Sequence, residues 1–162
     1  MKRVFTFLIS IITVLGFTVG TANAQTYCAS GAIYSGDTDI EFVELIGNTS
    51  TISNVSSGCA TYTDFTALPS ANLSPGQAYS IVVTGGSCSS YNYTKMAKVF
   101  IDWNQDFDFD DAGEEVGYTT SSGVLTTWTI PFTVPFTSSL GSTRMRVIVQ
   151  ETSSQTSITP CA

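Results

Sequence analysis

The chain reads as an all-β protein, a single antiparallel β-sandwich domain at residues 25–162 behind a signal peptide at residues 1–24. Three features carry this reading. No segment of helical length repeats its apolar residues at three and four positions, several short runs alternate apolar with polar residues, and turn-forming clusters separate them closely. Many short strands with frequent turns favour two packed antiparallel sheets.

In chain order, the first element is the export signal. Lys2 and Arg3 supply a positive start, Val4 to Val19 is apolar apart from a few Ser, Thr and Gly, and Ala22-Asn23-Ala24 fits a small-x-small cleavage pattern. The apolar run is shorter than the ~20 residues a spanning helix needs, so cleavage before Gln25 is expected, with no membrane insertion afterwards. Localisation is then secreted or cell-surface. The first strand expected is "IEFVELIG" at 40–47, followed by "AYSIVVTG" at 78–85 and "KMAKVFIDW" at 95–103. In "TWTIPFTVP", residues 127–135, Trp128, Ile130, Phe132 and Val134 alternate with Thr127, Thr129, Pro131 and Thr133. Pro131 cannot donate to a ladder, which places this strand at a sheet edge. In "STRMRVIVQE", residues 142–151, Met145, Val147 and Val149 are expected inward, with Arg144, Arg146 and Gln150 outward. The outward arginines are expected to pair with acidic residues. Turns fall at "SPGQ", "GGS", "DAGE", "SSG" and "LGS". The tail from Thr152 is expected to be poorly ordered unless Cys161 is bonded.

Charge narrows the partners. With the signal removed, four basic residues face thirteen acidic ones, a balance of −9. Such a chain is repelled by phosphate backbones and anionic lipids, which excludes nucleic acid; cations suit it better. No histidine is present, which removes both the usual catalytic base and zinc-site spacing. Cys28, Cys59, Cys88 and Cys161 are scattered and even in number, as in the disulfide framework of an exported protein. Sequence separates none of the three pairings. The one carried forward is Cys28 with Cys161 and Cys59 with Cys88, the first of which ties the chain ends.

Seven of the thirteen acids lie in "IDWNQDFDFDDAGEE", residues 101–115, with no basic residue among them. Asp102, Asn104, Asp106, Asp108 and Asp110 recur at every second position. In a DxNxD calcium loop the first, third and fifth side chains supply oxygens, here Asp102, Asn104 and Asp106. Asp108, Asp110, Asp111, Glu114 and Glu115 are the remaining pool. The loop is not an EF-hand, because Phe107 and Gly113 occupy the positions that motif gives to glycine and glutamate. Calcium is the cation these oxygens suit. A glycosidase would need two separated carboxylates, Asp102 with Glu114 or Glu115, but so many neighbouring acids blur the distinct acid and base environments. Trp103 and Trp128 read as core, whereas Tyr91 and Tyr93, in the polar "SCSSYNYT", read as an exposed ligand-binding pair.

Five stretches in order resemble one known family, the GEVED domain of secreted bacterial proteins. They are "YC" at 27–28, "YTDFT" at 62–66, "LSPGQAYSIVV" at 73–83, "VFIDWNQDFDFDDAGE" at 99–114 and "VPFTSSLGSTRMRV" at 134–147. The chain departs from the family at Phe107, where the family has glycine, and at its end, because the naming motif would follow Pro160-Cys161 and the chain stops at Ala162. The expectation is a fragment or short form with one sheet edge unpaired. The resemblance implies a non-catalytic exported module for adhesion or for contact with an extracellular glycan or protein ligand. The alternative is an accessory-domain fragment of a larger secreted enzyme, peptidase or glycan-active.

Overall fold

The computed structural model describes residues 26–34, 36–56 and 58–161; the expected signal peptide lies outside them. Seven strands form: β1 (Thr38–Ile46), β2 (Thr51–Val55), β3 (Ala78–Ser87), β4 (Met96–Ile101), β5 (Glu115–Tyr118), β6 (Thr126–Thr133) and β7 (Met145–Gln150). A 3-10 turn at Gln155–Ser157 follows them. They make two antiparallel sheets, one ordered β2-β1-β3-β6 and the other β5-β4-β7. No helix among the described residues is long and apolar enough to cross a membrane.

The core sits between the sheets. Leu45, Ile81, Val83, Trp128 and Ile130 from the first meet Ala97, Val99 and Ile101 from the second. Burying such side chains stabilises by about 1.5–3 kcal/mol each before entropy is counted, which is why the strands keep their alternation. In β6 the buried Trp128 and Ile130 alternate with exposed Thr127, Thr129 and Pro131, and β6 is an edge strand as Pro131 requires. Gly85 of β3 has no Cβ because Trp128 needs the room: an added carbon would stand 2.6 Å from the indole.

Two strands escaped the sequence reading. β2 is short and half polar, and β5 has four residues beginning inside the acidic run, so neither shows a clear alternation. The outward face expected of β7 is also corrected. Arg146 is buried, and β4 is buried at all six positions, Met96, Lys98 and Phe100 included. The reason is a third, irregular layer over the outer face of the three-stranded sheet, built from the segment around Tyr27 and Cys28 and from residues 158–161. Cys28 is bonded to Cys161 within it, and Cys59 is bonded to Cys88 elsewhere. Arg146 donates to the carbonyls of Cys28 and Pro160, Lys98 donates to the Ile158 carbonyl at 3.1 Å, and Ile158 is buried. The tail is therefore packed through its bonded cysteine.

Candidate functional site

The acidic loop leaves β4 at Asp102 and returns to β5 at Glu114, and its two ends are held together by backbone. Ile101 N–H donates to the Glu114 carbonyl at 2.9 Å and Asp102 N–H to the Arg144 carbonyl at 3.1 Å. Asp102 is 0 % exposed, and its carboxylate organises the first bend. Its Oδ1 accepts Gln105 N–H at 2.6 Å, and its Oδ2 accepts Phe107 N–H at 3.1 Å and the Tyr27 hydroxyl at 2.6 Å. Those bonds require Gln105 and Phe107 to turn left-handed, with φ of 64° and 75°. Phe107 thus adopts a left-handed conformation that glycine takes freely, and its ring packs 5.3 Å from that of Tyr27, which stacks on Phe109 at 5.2 Å. The bend survives the departure from the family pattern.

Beyond this the chain steps outward in three turns of one kind. The side-chain oxygens of Asn104, Asp106 and Asp108 accept the N–H groups of Asp106, Asp108 and Asp110, at 3.2, 3.2 and 2.9 Å. This is why alternate positions carry Asp or Asn, whose short side chains make such turns. Glu114, 2 % exposed, closes the loop by accepting from Trp103 N–H at 2.9 Å and Asp111 N–H at 3.4 Å.

Two groups of carboxylate oxygens result, each within 4.8 Å of one another: Asp102 with Asp106 and Glu114, and Asp106 with Asp108 and Asp111. Asp106 belongs to both. Asp110, expected in the set, is exposed and belongs to neither; Asp111, which the two-residue spacing passed over, takes its place. Asn104 lies among them, its amide donating to Asp106 at 2.8 Å and to Asp111 at 2.6 Å. A further grouping, Asp39 with Cys59 and Cys88, is no metal set because both sulfurs are in a disulfide.

Electrostatics follow from the crowding. Burial raises the Glu114 carboxyl above the usual range, and repulsion from Asp102 and Asp106 adds to this against the backbone donors Trp103 and Asp111. Tyr27 is pushed up to about 12 by burial, with its hydrogen bond to Asp102 and that residue's charge adding to it. Glu115 points away from the loop centre and pairs with Lys98 at 2.8 Å, the only ion pair among the described residues. The expected ion pairs of Arg144 and Arg146 do not form. Their guanidinium groups lie instead over aromatic rings, Arg144 at 4.5 Å from Tyr27 and Arg146 at 4.8 Å from Phe109. Trp128 is core as expected, while Trp103 is partly buried and donates from its indole to the Gly113 carbonyl at 3.1 Å. Tyr91 and Tyr93 are both exposed on the connection between β3 and β4.

Residues 96–162 match the family model of the GEVED domain. The match opens at the first residue of β4 and takes in the acidic loop, β5, β6, β7 and the bonded Cys161, so the GEVED resemblance seen in the sequence is supported over this segment. With two disulfides, a GEVED match marks a small module of extracellular type. No curated protein and no solved structure matches the chain.

Proposed function

We propose that the chain is an exported, non-catalytic β-sandwich module whose acidic loop is stabilised by calcium, and that it serves adhesion or contact with an extracellular glycan or protein. The observation that carries the calcium reading is the pair of carboxylate groups sharing Asp106. Their oxygens are hard donors of the type calcium takes six to eight of. Asp106, Asp108 and Asp111 would hold the ion. Asn104, whose Oδ1 accepts Asp106 N–H and whose amide donates to Asp106 and Asp111, holds these carboxylates in place and would supply an oxygen of its own only by giving up that turn. Asp102 and Glu114 contribute mainly by shaping the loop, since backbone donors already hold their oxygens. The ion's chemistry is charge neutralisation, which relieves repulsion otherwise felt by every acid in the loop.

The non-catalytic reading is supported by the same burial. Asp102, common to both carboxylate pairs that hydrolysis would use, is enclosed and hydrogen-bonded; of its two partners Glu114 is enclosed as well, and Glu115 is paired with Lys98. The test is thermal unfolding and limited proteolysis of the loop with calcium and with EDTA. Calcium is expected to raise Tm and protect residues 104–111, Asp106→Asn and Asp111→Asn to abolish both effects, and Asp110→Asn to leave them intact. Protein indifferent to EDTA in both measurements would overturn the reading.

A further inference from the structure

Beside the N-terminal segment lies a cavity of about 310 Å3, lined by residues 27–30 together with Tyr62, Arg144 and Arg146. It gathers two of the four basic side chains of residues 25–162, in a region whose net charge is otherwise strongly negative. The two arginines differ in what they have left to give. Arg146 is buried, and both of its terminal nitrogens donate to carbonyls, of Pro160 and of Cys28. Arg144 is half-buried with its guanidinium carbon 4.5 Å from the centre of the Tyr27 ring, and makes no side-chain hydrogen bond or ion pair among the described residues. Asp64 accepts Thr66 N–H at 2.8 Å and makes no ion pair with Arg144. A contact with a ring consumes none of the five N–H donors of a guanidinium, so those of Arg144 are not taken up by the described residues.

We propose that this cavity binds the carboxylate of a uronic acid unit, Arg144 taking it edge-on through two parallel hydrogen bonds. One free planar fork matches one planar carboxylate; a doubly charged phosphate would find a single uncommitted cation in a strongly acidic chain. The volume is at the small end of ligand clefts and suits a monosaccharide. Tyr62, 52 % exposed at the lining, offers a flat apolar ring with a polar tip for the sugar body. The proposal names a ligand for the contact role given above and makes no use of the calcium loop, so each can fail alone.

The experiment is a titration of the purified protein with D-glucuronate, D-glucose and a diglycine peptide, followed by NMR through arginine side-chain N–H signals and the amides of residues 28–30 and 62. Glucuronate is expected to shift them and glucose to leave them unmoved. Arg144→Gln should weaken glucuronate binding about tenfold or more, and Arg144→Lys, which keeps the charge but not the fork, should fall between. Melting curves for both variants show that they are folded. Absence of a glucuronate shift at millimolar concentration, an equal response to glucose, a stronger response to the peptide, or unchanged binding in a folded Arg144→Gln protein would each overturn the proposal. In any of those cases, calcium-dependent melting that persists would leave the module reading standing.

Discussion

Phe107 holds a left-handed φ of 75°, a conformation costing a residue with a Cβ about 1–2 kcal/mol. Its ring repays part of this by packing on Tyr27. The two contributions separate by substitution. Phe107→Ala loses the ring and keeps the strain, whereas Phe107→Gly loses both, so the glycine variant should be the more stable of the two by about 1 kcal/mol in denaturant melts. Tyr27 supports the same bend through Asp102. Because its folded-state value is raised from 10.0 to about 12, the native protein keeps a proton the unfolded chain has released, and stability falls as pH rises across that interval. A spectrophotometric titration should show a tyrosine component near pH 12, and Tyr27→Phe should remove that component while costing about 1 kcal/mol for the lost donor.

The loop from Asp102 to Glu114 is an element in its own right, with both ends fixed by backbone bonds and its middle crowded with like charge. Glu114 reports its own burial first and that crowding second. Its carboxyl is raised, so without a divalent cation stability should fall as pH rises from the ordinary glutamate range through its raised value. Calcium should flatten this decline, and Glu114→Gln should remove its share of it; Tm measured against pH, with calcium and with EDTA, checks both. Within β3, Gly85→Ala should be destabilising by about 1–3 kcal/mol, because the new carbon meets the Trp128 ring at 2.6 Å in a packed core.

Across the whole molecule the two disulfides do different work. Cys28–Cys161 spans 133 residues and clamps the irregular third layer, whereas Cys59–Cys88 spans 29. On loop entropy alone, removing the longer bridge should cost about 1 kcal/mol more than removing the shorter, and it should also expose Arg146 and Ile158 to solvent. Hydrogen exchange on paired Cys→Ser variants would show whether loss of protection is confined to the three-stranded sheet. Sequence by itself determined the all-β class, the alternating faces of β6, the edge position imposed by Pro131 and the clustering of oxygen donors after β4. Each of these follows from local periodicity or from the chemistry of a single residue, and neighbours in sequence suffice to reveal it. Only the tertiary structure decided that Arg146 and Lys98 are buried, that Asp111 rather than Asp110 joins the carboxylates, and that Arg144 keeps its donors free beside Tyr62. Those outcomes depend on two segments distant in sequence, around Cys28 and Cys161, folding over one sheet face, and on turns that carry a side chain out of the two-residue period; neither leaves a mark on the pattern of neighbouring residues.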